Sequence, residues 1–449
     1  MNKKEFYQNI TRVALPITVQ SGLQAVLGLI DQIMIGNLGS ACIAGVGLAT
    51  KFISLFTVTM TAIVTVAGIM MAQYRGSKSK EGINNSFFCN MYFSLAVAIV
   101  FILLSLTLPR QIMGCYSKDS ATVEQAAIYL RIMAIGFIPQ TVTLMFSALL
   151  RTMEAAKFPM IASGISVLTN TILNYFFIFG VGIFPKMNVA GTALATSISR
   201  IIELTVIIVL FLKIKERNAI ALKFTFNFEK IFVKKIFYVM APIFLCEFMW
   251  SLGENVYAII YGHIGTEACA AMTLTYPIQT IAIGALSGLS ASAGIIVGQS
   301  LGGENNEKAY SESKSFVKMT VIAAVVIGVF ISLLAKYYVR LFAVSEETRN
   351  ITIYILYAYS FVFCAKVINM VLGGGVLRSG GKTKYIMVID MIGTWVIGVP
   401  IGYFTAYVLK LPIYQVYFIL SMEEYVRVLM EICVFRSRRW MKNMAEYAY

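Results

Sequence analysis

The fold class this sequence predicts is an all-α integral membrane protein, with twelve transmembrane helices in two six-helix bundles related by an internal repeat. Three observations lead there: too few charges to cover a water-facing surface, twelve apolar runs of spanning length, and a motif that returns later in the chain. Of 449 residues, 58% are hydrophobic and 13% charged, with mean hydropathy +0.77. A soluble domain carries about 25% charged residues, so lipid must face most of this surface.

About 20 apolar residues suffice to cross a bilayer. Such runs fall at 13–36, 46–72, 87–108, 125–149, 159–181, 189–212, 236–260, 271–298, 316–336, 351–374, 384–408 and 413–435. Lys3, Lys4 and Arg12 give the first run the basic flank of a signal peptide, but its length, Pro16 and Asp31 mark a retained helix. Twelve spans put both termini on one side. With the termini cytoplasmic, the inside segments hold 25 of the 37 Lys and Arg residues and the outside loops seven. That asymmetry follows the positive-inside rule. It accounts for the net charge of +15 without nucleic acid.

The repeat sets the domain organisation. PITVQSGLQAVLGLIDQIMIGNLGSACIA starts at Pro16 and PIFLCEFMWSLGENVYAIIYGHIGTEACA at Pro242, an offset of 226. At that offset Gly36 meets Gly262, Gly39 meets Gly265, Ala44 meets Ala270, Gln73 meets Gln299 and Gly76 meets Gly302. One residue further, Arg151 meets Arg378 and Lys157 meets Lys384. The expected domains are an N-terminal six-helix lobe (1–212), a cytoplasmic interfacial linker (213–235) and a C-terminal six-helix lobe (236–449). The linker alternates aromatics with charges, as a segment lying in a membrane interface does. Transporters often bind substrate near the midplane between such repeats.

Other chemistries find little support. Seven scattered cysteines (Cys42, Cys89, Cys115, Cys246, Cys269, Cys364, Cys433) form no C-x-x-C, and His263 is the one histidine, so neither a disulfide framework nor a metal site is expected. GGGVLRSGGKTK (373–384) ends like a P-loop, but Val376 stands where its first glycine belongs. Its repeat mate SALLRTMEAAKF keeps the arginine and final lysine without the glycines, so a basic turn and hinge is the better reading. No H-E-x-x-H or G-x-S-x-G occurs. An enzyme is not expected, nor any cofactor.

VALPITVQ with GLIDQIMIGNLGSACIAGVGLA, then ALLRTMEAAKFPM, TNTILNYFFIFGVGIFP with VAGTALATSISRIIE, and YGHIGTEACAA occur in that order. Across residues 10 to 440 the sequence resembles the multidrug and toxic compound extrusion (MATE) transporters, in a bacterial branch. The resemblance implies two six-helix lobes that open alternately to either side. It further implies export of amphiphilic, cationic compounds in exchange for H+ or Na+, by a monomer in the bacterial inner membrane. A lipid-linked oligosaccharide flippase of the same superfamily is the alternative.

Charges inside spans cost about 2.5–3.5 kcal/mol each on insertion scales, so they are the first candidates for a site. Asp31 can bind a proton or sodium, or make a structural hydrogen bond; its repeat mate is Tyr257. The resemblance places an acid here in the N-lobe cation site. Asn170 and Asn174 share one face of the fifth helix. Many relatives carry Asp at the second position, and an amide there can coordinate sodium or bond Asp31 but cannot take up a proton. Glu247 and Glu254, seven apart on the seventh helix, are the resemblance's candidates for meeting cationic substrate or ion, with Glu247 preferred. Some branches have an acid in the tenth helix, where this chain has Lys366 and Asn369. Asp390 in the eleventh either replaces that acid or pairs with Lys366. Arg200 with Glu203, and Glu424 with Arg427, are spaced three apart, as local structural salt bridges would be.

Overall fold

Twelve long helical segments follow one another in a computed structural model that describes residues 3–35, 40–181, 184–214, 222–342 and 344–443. They are α1 (Lys3–Ile35), α2 (Ser40–Gly76), α3 (Lys80–Thr107), α4 (Ser120–Thr152), α5 (Lys157–Phe179) and α6 (Asn188–Ile214). Then come α7 (Lys230–Ile264), α8 (Thr266–Gly302), α9 (Asn306–Val339), α10 (Glu346–Leu377), α11 (Lys384–Val408) and α12, made of Ile413–Ser421 and Glu423–Arg436. No strand occurs among the described residues. Nine of these segments are, among the described residues, long and apolar enough to cross a membrane; α1, α7 and α12 are the other three.

The helices outrun the apolar runs that announce them. α1 begins at Lys3 rather than 13, and α9 at Asn306 rather than 316. Hydropathy marks only the part that suits lipid, whereas a helix ends where its terminal N–H groups find a cap. Ser79, Asn305 and Ser345 accept from the N–H of Gly82, Lys308 and Thr348 at 3.1, 3.0 and 3.1 Å. Asp119 caps α4, accepting from the Thr122 hydroxyl at 2.5 Å and its N–H at 3.0 Å. Those bonds hold the Asp119 carboxyl below the ordinary carboxylate range. Gly180 closes α5 in the left-handed region, at φ +69°.

The chain divides into two compact units. Unit 1 holds Met1–Met71 and Ser79–Ile236, and unit 2 holds Ala72–Lys78 and Phe237–Tyr449. In unit 1, α5 packs on α6 and α1; in unit 2, α10 packs on α9 and α8. The segment between α6 and α7 is shorter than its expected span, because α7 already begins at Lys230. Its described part lies on α3: Asn84 brackets Lys223, donating to its carbonyl at 2.9 Å and accepting its N–H at 2.8 Å. Phe226 stacks on Tyr92, with ring centroids 5.3 Å apart.

The repeat is visible in the backbone. Pro16 lies inside α1 and Pro242 inside α7; Gly36 and Gly39 lie outside the described residues. Within unit 2, the ends of α2 and α8 meet reciprocally. A Cβ on Gly76 would overlap the Gln299 carbonyl, and one on Gly302 would overlap that of Gln73. Each repeat's glycine thus packs on the other repeat's glutamine, and only glycine allows the approach.

Three stretches of unit 2 widen into π-helix: Asn369–Leu377 in α10, and Ile392–Gly398 and Phe404–Val408 in α11. π-Helix is rare and concentrates at functional sites.

Candidate functional site

Unit 1 gathers three of the predicted residues into one chain of hydrogen bonds. Asn174 donates to Asp31 Oδ1 at 2.6 Å and to Asn170 Oδ1 at 2.8 Å. Asn170 in turn donates to Thr196 Oγ1 on α6, at 3.2 Å. The spacing of four on α5 aligns the two amides; α1 brings the carboxylate. Both asparagines are buried and Asp31 is part-buried. No lysine or arginine makes an ion pair with Asp31 among the described residues. Asn174 Oδ1 is buried without a partner. The arrangement therefore offers a carboxylate and a spare amide oxygen, the donor set a proton or a small hard cation accepts.

Arg200 and Glu203 do not form the expected local bridge. They interact electrostatically, but neither makes an ion-pair contact among the described residues. Arg200 leans on Gly136, where a Cβ would come within 3.0 Å of its Cδ; Glu203 meets the Ser166 hydroxyl and the charges of Arg200 and Arg151. Packing against α4 and α5 separates side chains that sequence spacing would pair.

Unit 2 holds a denser network, and α12 is its axis. Glu423, Arg427 and Glu431 are spaced four apart and so share one helix face. Each lies against a glycine in a π-helical stretch: a Cβ on Gly398 would overlap the Tyr257 hydroxyl and crowd Glu423 at 2.7 Å, one on Gly393 would overlap Arg427, and one on Gly373 would overlap Glu431. Arg427 donates to Glu423 at 3.3 Å and to Thr394 Oγ1 at 2.5 Å, and pairs with Asp390 at 3.6 Å. Cys246 donates to the other oxygen of Asp390 at 2.7 Å.

Two expectations are corrected here. Glu424 does not bridge Arg427: it pairs with Lys366 at 3.5 Å and accepts from Asn369 at 2.7 Å. Asp390 accordingly does not pair with Lys366, whose partner is taken. Neighbouring helices dictate both choices, because α12 presents Glu424 to α10 and Arg427 to α11. Glu247 pairs with Arg378 at 2.7 Å, both part-buried, while Glu254 is exposed and makes no ion pair among the described residues. The P-loop-like stretch thus supplies an ion-pair arginine and a turn, with Gly381 left-handed at φ +71°.

Sequence reasoning missed Glu423, Glu431, Cys246 and Arg378 as members of this network. Its signal was the stripe in EEYVRVLMEI, where charges recur every fourth residue.

The family profile described as MatE matches residues 16–176 and again 242–404, one block for each repeat. The chain belongs to the MatE family. This MatE chain is 25% identical over 438 residues to the uncharacterized transporter YisQ of Bacillus subtilis, covering 96% of this chain and 94% of that one. It is 23% identical over 447 residues to the probable multidrug resistance protein NorM of Thermotoga maritima, covering 98% and 94%. Among solved structures, a MOP superfamily transporter from Pyrococcus furiosus superposes with TM-score 0.86 at 20% identity, and MATE in the straight conformation with 0.88 at 20%. Each covers 96% of this chain and 95% of the other. The fold is that of the MATE transporters, and the protein is a multi-pass membrane transporter.

Proposed function

We propose that this transporter exports amphiphilic, cationic drugs or metabolites in exchange for H+ or Na+, by alternating access. The observation that carries the reading is Asp31: a carboxylate inside a span whose hydrogen-bond partner is an amide and with which, among the described residues, no lysine or arginine makes an ion pair. A charge kept there at such cost serves an incoming cation. When ion and cationic substrate compete for one negative charge, the entry of one drives the departure of the other. The multidrug names of relatives such as the Thermotoga maritima protein support the substrate class. The Lys/Arg asymmetry supports both termini in the cytoplasm of a bacterial plasma membrane, and a monomer completes the reading. A flippase of phosphate-bearing lipids would want a cationic cavity, and the candidate site of unit 1 offers it none.

The test is transport of a fluorescent cation in everted vesicles, with a proton gradient or a sodium gradient imposed separately. Asp31→Asn should insert normally and lose gradient-driven transport under both. Transport by Asp31→Asn equal to wild type would refute the assignment; uptake of a lipid-linked sugar with no cation transported would promote the flippase.

A further inference from the structure

The buried network around α12 contains one carboxyl group that none of its bases pairs with. Lys366 is engaged by Glu424, Arg378 by Glu247, and Arg427 by both Glu423 and Asp390. Four carboxyls thus share three bases, and Glu431 is a fifth, left out. It is 1% exposed, and its Oε2 has no hydrogen-bond partner. The charged groups that act on it are Glu424 and Arg427 on its own helix, Arg378 just beyond α10 and Asp390 on α11. None forms an ion pair with it among the described residues.

An ionised carboxylate buried without a partner is far more costly than the neutral acid in the same place. The local backbone makes room for this group rather than expelling it. Gly373, in the π-helical stretch of α10, leaves the space that Glu431 Oε1 occupies. Glycine and π-helix both weaken α10 here, so the pocket is a built feature. One turn away, Arg427 Nε is buried with no acceptor. It is the base placed to compensate Glu431 when the acid ionises.

We propose that Glu431 is a proton-binding site of unit 2, separate from Asp31 in unit 1. The proton sits on the Glu431 carboxyl in the arrangement seen here. It leaves to solvent when Arg427 turns from Asp390, which keeps its hydrogen bond from Cys246, toward the newly ionised carboxylate. The assignment concerns the protein's own titration and stands whichever compound is exported.

Infrared difference spectra of the purified full chain in lipid, recorded across a neutral-to-alkaline titration, test it. The wild type should show a buried carboxylic-acid C=O band that Glu431→Gln lacks and Asp31→Asn keeps. Because Gln reproduces the shape and neutrality of the protonated acid, Glu431→Gln should melt within a few degrees of wild type. A spectrum of Glu431→Gln that retains every wild-type acid band would overturn the proposal. So would a steep loss of thermal stability, which would mean an ion pair had been broken. Sodium-dependent melting that Glu431→Gln abolishes, with no acid band to lose, would overturn it in favour of a metal cation. None of these outcomes depends on transport, so failure here leaves the Asp31 reading to its own test.

Discussion

Arg151 donates to the Gln20 amide at 2.7 Å in unit 1, and Arg378 donates to Glu247 at the same distance in unit 2. The 226 offset makes Cys246 the mate of Gln20, and Arg378 reaches that thiol too, at 3.4 Å, so the two arginines point at corresponding places and the second takes the carboxylate one residue further on. One acceptor is neutral and the other charged. The difference extends to the surroundings: unit 1 arranges amides and hydroxyls around a single candidate carboxylate, whereas unit 2 arranges five carboxyls around three bases. Duplicated backbone devices (Pro16 and Pro242, Gly76 and Gly302) have kept one scaffold. On it, one half has remained sparsely charged and the other holds an interlocked ion network. A single unpaired carboxylate is free to trade its ion, while a network resists the loss of any one member.

The sharpest way to break this contrast is Arg427→Met. Removing a base from a buried cluster leaves its acids uncompensated, at a cost of about 3–5 kcal/mol, and Glu423 and Asp390 both depend on Arg427. The melting temperature of the purified protein should fall steeply. A change under about 1 kcal/mol would mean that the ions of unit 2 are as independent of one another as Asp31 is of any base.

How much of this was legible beforehand follows from the same contrast. Spans, repeat and the Asn170–Asn174 pair depend on local rules: apolar length, a fixed offset, and a spacing of four on one helix. In unit 1 they fail only at Arg200 and Glu203, which packing separates. Unit 2 defeated them, because Glu424 and Arg427 each had more than one partner in reach and tertiary packing chose among them. The π-helical stretches had no visible signal in the sequence beyond glycines that also suit a hinge. The charged stripe of α12 was readable, but pairing residues three apart drew attention away from the row spaced by four.

A smaller effect, opposite in sign, sharpens the comparison from the other side. Gln20→Glu would give Arg151 the charged acceptor that Arg378 already has. Charge-assisted hydrogen bonds are roughly twice as strong as neutral ones, so the variant should gain about 1 kcal/mol of stability, read as a raised melting temperature. Destabilisation would show that unit 1 does not tolerate the ion pair its twin is built on.

The smallest expected change in stability belongs to Glu254→Gln. Exposed substitutions away from such clusters stay within about 0.5 kcal/mol, and Glu254 is exposed, whereas Glu247 is tied to Arg378. Neutralising each in turn therefore separates binding from architecture. Glu247→Gln should lower both the melting temperature and cation export, since it frees Arg378 to repel a cationic substrate. Glu254→Gln should melt like wild type and lower export less. If export instead falls further in Glu254→Gln while its melting temperature holds, the exposed acid is the one that meets substrate. Glu247 would then belong wholly to the network, and unit 2, like unit 1, would work through a carboxylate that makes no ion pair among the described residues.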